Sequence, residues 1–229
     1  MEQKSQIKDN IESILKRIRA INNDALLVAV SKTFSTDDIE EAVKAGIKVF
    51  GESKIQETEE KQKVLNEKYK DLSWFMIGHL QTNKVNKAVS IFNMIQSVDS
   101  LKLAEKINSA CLKEGKILQC LLEIKVSPEE TKFGITPVEA FEVYNRIKEM
   151  QGIKPAGIMA MAPYSDNAED SRIYFKRARK VFDEIKKDAP ADFGWLSMGM
   201  SHDFEIALQE GANMVRVGTS LFGKRNYTK

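Results

Sequence analysis

A lysine follows directly on an apolar segment near the start of the chain. Lys32 comes after the run Ala25–Ser31, ALLVAVS, so its side-chain stem would lie where this run ends. A desolvated lysine has a lowered pKa, and its neutral amine can attack an aldehyde to form a Schiff base. A lysine that ends a strand can also extend its amine into water while its stem stays buried. Position alone leaves both interpretations open, and the second is the commoner one.

Two glycine-containing polar turns late in the chain suggest an anion site. The first is Gly199–Asp203, GMSHD, and the second is Gly218–Ser220, GTS. The backbone N–H groups of such turns, with the hydroxyls of Ser201 and Thr219, can hold a phosphate. Ordinary N-capping by the same two hydroxyls is an equally good interpretation. A phosphate site together with Lys32 indicates a cofactor that carries both a phosphate and an aldehyde.

One charged residue interrupts the last apolar run, and few residues could bind a metal. Arg216 lies within MVRVG, where a guanidinium either serves a site or makes an inward salt bridge. The two histidines, His79 and His202, are too few for a histidine-based metal site. Cys111 and Cys120 lack a zinc-binding spacing. We therefore expect no metal and two reduced cysteines, as in a cytosolic protein.

The hydrophobic pattern predicts a scaffold that brings the ends of several strands together. An amphipathic helix over Gln3–Asn22 precedes eight units, each an apolar run followed by a helical pattern or a short helical tail. Continuous apolar runs are typical of strands buried on both faces, and their alternation with helices predicts a parallel sheet. The expected strands are Ala25–Ser31, Ile47–Glu52, Leu72–Gly78, Phe92–Asp99, Lys116–Val126, Ile153–Ala162, Phe193–Met198 and Asn213–Gly218.

A closed (β/α)8 barrel is favoured over an open doubly wound sheet. An open sheet that binds a nucleotide would have a glycine-rich turn after its first strand, and here the turn VSKTFST contains no glycine. In a barrel the functional residues follow the C-terminal ends of the strands, and the loops after the seventh and eighth strands commonly bind phosphate. No linker of biased composition divides the chain. We expect residues 1–229 to form a single α/β TIM-barrel domain with an extra N-terminal helix.

Composition excludes two classes of partner. The chain has 35 Lys and Arg against 33 Asp and Glu, a net charge of +2, and this balance argues against a dedicated nucleic-acid binder. No window approaches the run of about 18 apolar residues that a membrane span needs. The N-terminal residues MEQKSQIKDN lack the apolar core of a signal peptide. We expect a cytoplasmic protein without membrane partners.

Seven short motifs occur in order along nearly the whole chain. They are AVSKT, FGE-x-x-x-QE, IG-x-LQ-x-NK, KFGI, GIMAMAP, LSMGMS and VRVGTSLFG. With these motifs the chain resembles the pyridoxal phosphate homeostasis protein family, which is similar to the N-terminal barrel of alanine racemase. Two positions depart from the family pattern: Ser53 replaces a common Asn after Gly-Glu, and Phe75 replaces a frequent His after the tryptophan of the third strand.

The resemblance implies a fold-type III barrel that binds pyridoxal 5'-phosphate (PLP), the vitamin B6 cofactor, as a Schiff base on Lys32. It implies that Ser201, Gly218 and Thr219 bind the phosphate and that Arg216 faces the pyridine nitrogen. The implied function is intracellular PLP homeostasis: the protein holds the cofactor and delivers it, without substantial catalytic turnover. Apo-enzymes that need PLP would be the recipients, and we expect a monomer.

Two enzymatic functions are the alternatives. A PLP-dependent amino-acid racemase needs acid/base groups on opposite faces of the cofactor, and beside Lys32 the sequence shows no second one. In the racemases that the family resembles, that group is a tyrosine of a C-terminal domain. The chain ends at Lys229, so we expect no such domain, and Tyr227 lies in a tail that would position it poorly. A sugar-metabolising phosphate-binding barrel without PLP would need a carboxylate pair that the strand ends do not show.

Overall fold

Eight parallel strands, one from each unit, are hydrogen-bonded in chain order into a closed barrel, as the hydrophobic pattern predicts. The computed structural model describes residues 2–129 and 133–223, so Lys132 of the KFGI motif and Tyr227 lie outside the described residues. The first and last strands close the barrel by pairing residues 26–29 with residues 214–217. The strands are β1 (Leu26–Val30), β2 (Val49–Glu52), β3 (Ser73–Met76), β4 (Met94–Val98), β5 (Leu118–Ile124), β6 (Ile153–Ala160), β7 (Trp195–Ser197) and β8 (Met214–Val217).

Helices alternate with the strands along the described chain, and an extra helix precedes the first strand. That helix, α1, buries Ile7, Ile11, Ile14 and Ile18, which recur at helical spacing, and it packs against α2, α8 and α9. Short 3-10 turns at Thr82–Lys84 and Ala168–Ser171 precede α4 and α7. The helices are α1 (Glu2–Ile21), α2 (Thr36–Lys44), α3 (Ile55–Lys68), α4 (Val85–Ile91), α5 (Leu101–Lys113), α6 (Ala140–Ile147), α7 (Arg172–Lys186), α8 (Phe204–Gln209) and α9 (Thr219–Phe222).

The core has an outer and an inner part because successive side chains of a strand point to opposite faces. On β1, Leu27 and Ala29 belong to the large cluster between the barrel and the helices, whereas Val28 belongs to a second cluster contributed by strands alone. This second cluster fills the barrel interior. Its buried members are Val28, Phe75, Met94, Leu121, Ala156, Met159 and Met214.

A bulge in β6 lies next to a position that only glycine can occupy. Cys120 pairs with Pro155 and Leu121 pairs with Gly157, which leaves Ala156 as the extra residue. Pro155 has no N–H to donate, and bulges are where sheets accommodate proline. A Cβ added to Gly157 would lie 1.9 Å from the carbonyl oxygen of Trp195 on β7. The backbone conformation of Gly157, with φ 154, therefore requires a residue without a side chain beside Trp195.

The two cysteines are free and buried, and burial raises the pKa of both thiols. Within residues 2–129 and 133–223, no group of three or more His, Cys, Asp or Glu side chains could hold a metal ion. None of the helices described above is both long enough and apolar enough to cross a membrane.

Candidate functional site

Lys32 lies in a tight turn at the C-terminal end of β1. The N–H of Phe34 donates to the carbonyl oxygen of Ser31 at 3.0 Å, so Lys32 and Thr33 are the two central residues of this turn. Thr33 has φ 71, the positive value found at the third position of a type II turn. Lys32 is half-buried and lines a cavity at the mouth of the barrel.

The cavity, hereafter the mouth cavity, has a volume of about 480 Å³. Its wall comes from segments at or after the ends of β1, β3, β5, β6 and β7, where barrel enzymes carry their functional residues. Its size lies within the range of small-molecule sites, ~300–1,000 Å³, and most of the lining is apolar. The lining residues are Lys32, Ile77, Gly78, His79, Glu123, Ile124, Lys125, Val126, Ser127, Phe133, Met161, Ala162, Tyr164 and Met200.

Aromatic side chains form part of the rim. The ring of Phe133 stacks on that of His79, with 3.8 Å between the ring centroids. His79 Nδ1 lies 2.9 Å from a carboxylate oxygen of Asp99. Tyr164 is 81% exposed, and its ring lies 5.9 Å from that of His202. Exposed aromatic rings of Phe133 and Tyr164 in the lining are suited to contact with a flat, partly apolar ligand.

Arg216 points into the barrel below the mouth. Its neighbours on β8, Val215 and Val217, face the outer cluster, so the guanidinium occupies the interior. It donates to the hydroxyl of Ser197 at 2.7 Å and to the carbonyl oxygen of Ala160 at 3.0 Å. The contacts that hold it are therefore neutral groups, and the inward salt bridge considered from the sequence is not what holds it. Burial lowers the pKa of Arg216 to about 10, so the group stays protonated at neutral pH.

Glu123 is a carboxyl group of the mouth cavity that the sequence analysis missed. It is 6% exposed and lies between Leu122 and Ile124, which face the outer cluster. Burial raises its pKa to about 7, Asp99 adds to this rise, and Arg216 opposes it. The signal was available, because Glu123 interrupts the apolar run CLLEIKV as Arg216 interrupts MVRVG. A carboxyl group able to exchange protons near neutral pH is thus present at a strand end.

The turns after β7 and β8 meet at the hydroxyl of Ser201. Its Oγ accepts from the N–H of Gly218 at 3.2 Å and from that of Ser220 at 3.3 Å. A Cβ added to Gly218 would lie 3.1 Å from the carbonyl oxygen of Val30, so the glycine allows this turn to approach the end of β1. Thr219 is exposed as the first residue of α9. Ser201, Gly218 and Thr219 are therefore brought together beside the Lys32 turn, and Ser220 joins them.

The structure shows where the two departures from the family pattern lie. Phe75 is buried in the inner cluster, where it fills the barrel beside Val28 and Met94. Ser53 packs against Gly78: a Cβ added to this glycine would lie 2.6 Å from the Cβ of Ser53. This close approach requires the glycine at position 78, and it does not distinguish serine from asparagine at position 53.

Comparison with known proteins agrees with this geometry. Residues 3–226 match the family model described as "Alanine racemase, N-terminal domain". The chain is 38% identical over 226 residues to a pyridoxal phosphate homeostasis protein of Aquifex aeolicus, covering 99% of this chain and 98% of that one. The chain belongs to the alanine racemase N-terminal domain family and, within it, to the pyridoxal phosphate homeostasis proteins. The resemblance found in its motifs is confirmed.

Solved structures place this family member among similar barrels. The structure of PipY of Synechococcus elongatus with PLP bound has a TM-score of 0.86 and 35% identity, covering 95% of this chain and all of PipY (100%). An alanine racemase of Clostridium difficile has a TM-score of 0.76 and 17% identity, and the match covers 96% of this chain and 58% of the racemase. The racemase therefore shares the fold with this chain. PipY matches this chain over nearly the full length of both proteins.

Proposed function

We propose that this chain binds PLP in the mouth cavity and serves intracellular PLP homeostasis by holding and delivering the cofactor. The observation that carries the proposal is the placement of Lys32, Arg216 and Ser201 at the same end of the barrel, at or just after the C-terminal parts of β1, β8 and β7. Lys32 lines the mouth cavity, Arg216 lies below it, and Ser201 lies in the turns after β7 and β8. The names of its relatives and the PLP in PipY support the same function. PLP supplies an aldehyde that condenses with amines and a ring that can take up electrons.

The residues present suit each part of this cofactor. The hydroxyls of Ser201 and Thr219 and the N–H groups of Gly218 and Ser220 have the chemistry that a phosphate requires. Both N–H groups donate to Ser201 Oγ in this structure, so they would exchange that acceptor for a phosphate oxygen when the cofactor binds. Gly218 provides the close backbone approach, since any Cβ there would crowd Val30. We assign Ser201, Gly218 and Thr219 to the phosphate.

Arg216 suits the pyridine nitrogen. A protonated guanidinium has donors and no acceptor, so it stabilises a ring nitrogen that carries no proton. Ser197 and Ala160 fix its orientation through two hydrogen bonds. A ring without that proton takes up electrons less readily, which favours holding the cofactor over chemistry on bound amino acids.

We assign the covalent link to Lys32, and borohydride reduction tests it. Reduction of the PLP-loaded protein should fix the cofactor on Lys32, and Lys32→Ala should lose both this adduct and the visible absorption. Lys84→Ala, which alters a lysine on the neighbouring 3-10 turn, is the control and should keep both. Recovery of the adduct on Lys84 or another lysine by peptide mapping would overturn the assignment.

The remaining parts of the proposal concern the whole protein. We propose that residues 1–229 form one domain, that the protein is a cytoplasmic monomer, and that PLP-dependent apo-enzymes receive the cofactor. The family model, which spans residues 3–226, supports one domain, and the two free buried cysteines suit a reducing compartment. We also propose that turnover of amino acids is insubstantial; the racemase alternative would use Glu123 as its second acid/base group.

A further inference from the structure

A buried cluster of charges lies directly behind the Lys32 turn. Lys61 on α3 is 5% exposed, and Glu52 at the end of β2 is fully buried at 0%. The Nζ of Lys61 lies 2.7 Å from Glu52 Oε1, 2.7 Å from Glu57 Oε1 and 2.8 Å from the carbonyl oxygen of Ser31. An ammonium has three N–H donors, so all three are used. We call Ser31, Glu52, Glu57 and Lys61 the Lys61 cluster.

The cluster holds both backbone neighbours of Lys32. Before it, Ser31 gives its carbonyl oxygen to Lys61, and its hydroxyl donates to Glu52 at 2.7 Å. After it, the N–H of Thr33 donates to Glu57 Oε1, the same oxygen that Lys61 contacts. Lys32 therefore lies between two residues that are linked to the Lys61 ammonium. Ser31 is linked directly, and Thr33 is linked through Glu57.

The turn that is held in this way has an unfavourable conformation for its sequence. Thr33 is a β-branched residue with φ 71, and it is the one non-glycine residue with positive φ among residues 2–129 and 133–223. Such strain persists where surrounding contacts enforce it, and it is concentrated at functional sites. The contact with Glu57 is one that enforces it here.

Stability alone does not explain the cluster. Removing two charges from water costs more than their attraction returns in many buried pairs, and an apolar pair of similar size is often as stable. Burial raises the pKa of Glu52 even though Lys61 opposes that rise. The second oxygen of Glu52, Oε2, is buried without a hydrogen-bond partner in the described structure. A pair that is costly to bury and incompletely satisfied points to a role in placing the residues it holds.

We propose that Lys61, acting through Ser31 and Glu57, is a positioning residue for Lys32. It fixes the turn after β1 so that the Lys32 amine is presented to the mouth cavity. The inference rests on the proposed function, because Lys32 is the residue that we expect to bind PLP. It also assigns a task to the FGE-x-x-x-QE motif, which contributes Glu52 and Glu57.

The decisive variant is Glu57→Ala, which cuts the tether to Thr33 and leaves the Lys61–Glu52 pair in place. The Glu57 side chain is 23% exposed, so its loss should be compatible with folding. The matched control is Glu59→Ala on the same helix, whose carboxylate pairs with Lys87. Glu57→Gln retains an oxygen that can accept from Thr33 and should rescue the wild-type behaviour.

Two measurements on cofactor-free protein test the positioning without PLP. Amide hydrogen exchange at Thr33 should be at least tenfold faster in Glu57→Ala and unchanged in Glu59→Ala. The rate at which an amine reagent labels Lys32 should change in Glu57→Ala and return in Glu57→Gln. Unchanged exchange and unchanged labelling in Glu57→Ala would overturn the proposal.

PLP binding provides the functional measurement. The dissociation constant of Glu57→Ala should rise about tenfold, a change of ~1.4 kcal/mol, and the pH midpoint of the PLP absorption band should move. Faster Thr33 exchange with unchanged PLP affinity would also overturn the proposal. If wild-type protein forms no PLP adduct on Lys32, the proposed function fails, while the exchange and labelling results still decide whether the cluster positions Lys32.

A paired substitution separates positioning from stability. Lys61→Met combined with Glu52→Gln replaces the buried ions by neutral side chains of similar length. We expect thermal stability to be retained and PLP affinity to fall as in Glu57→Ala. Lower stability with wild-type affinity would show a purely structural role and overturn the proposal.

Discussion

Two opposite charges inside the barrel show how strongly a residue's surroundings set its chemistry. Arg216 is fixed by Ser197 and Ala160, and it keeps its proton. Glu123 lies in the wall of the mouth cavity, where burial raises its pKa to about 7. Both are single charges in apolar strands, a pattern that singles out residues with a task beyond packing.

The raised pKa of Glu123 predicts a pH dependence of stability in cofactor-free protein. Its ordinary value is 4.5, so between pH ~4.5 and ~7 the folded state retains a proton that the unfolded state has lost. The free energy of unfolding should therefore fall as pH rises through this window, by up to roughly 3 kcal/mol. Glu123→Gln should reduce this fall, measured by urea unfolding at pH 5 and pH 8.

An exposed carboxylate provides the control for this measurement. Glu105→Gln on the surface of α5 should retain the wild-type pH dependence. The same dependence in wild type and in Glu123→Gln would show that Glu123 does not titrate in this range. Asp99 and Arg216 are the charged groups whose interactions contribute to the pKa of Glu123. They are therefore the neighbours to consider if some pH dependence remains in Glu123→Gln.

Among the elements, the proposed phosphate site depends on two turns that come from different strand ends. Ser201 follows β7 and Gly218 follows β8, and the pairing of these strands brings the turns together. Backbone donors remain whatever the side chains are, so the hydroxyls of Ser201 and Thr219 supply only part of the binding energy.

Loss of the Ser201 and Thr219 hydroxyls should weaken the binding of a phosphorylated ligand more than that of an unphosphorylated one. A hydrogen bond to a charged group contributes about 1.5–3 kcal/mol, so Ser201→Ala with Thr219→Ala should weaken PLP binding at least tenfold. Binding of pyridoxal, which lacks the phosphate, should weaken much less. Ser90→Ala, on α4 away from these turns, is the control for both ligands. Equal losses for PLP and pyridoxal would contradict the assignment.

The sequence predicted where helices and strands occur, because burial sets the hydrophobic pattern, but it predicted their ends less well. The apolar run Phe193–Met198 marks a strand that the structure limits to Trp195–Ser197, because hydrophobicity records burial while strand limits record hydrogen-bond pairing. The position of Lys32 followed from its run as well. Arg216 on β8 donates to Ser197 on β7, which donates to Gln96 on β4. The local pattern of a single sequence contains no signal for side-chain hydrogen bonds between strands that are so far apart in the chain.

At the scale of the whole molecule, the barrel does not decide between carrier and catalyst. The Clostridium difficile racemase has the same fold at 17% identity, and this chain matches 58% of it. What distinguishes the two functions is whether a proton is exchanged at the α-carbon of an amino acid.

Turnover can be measured directly. We expect PLP-loaded protein in deuterated water to show no substantial α-deuterium exchange or D-isomer formation with L-alanine or L-serine. Exchange at ~1 per second, near the low end of ordinary enzymes, would favour the racemase. In that case Glu123→Gln, compared with Tyr164→Phe and His79→Ala, should identify the second acid/base group, because all three residues line the mouth cavity with Lys32.

The bulge in β6 has a consequence for how this chain can vary in evolution. Every single-nucleotide change that alters a glycine codon introduces a side chain or a stop signal. At Gly157 each such side chain would meet the backbone of Trp195 at 1.9 Å, and backbone cannot move aside as a flexible side chain can. In a population of variant genes this codon should consequently tolerate only synonymous changes, although Gly157 is not among the residues that line the mouth cavity.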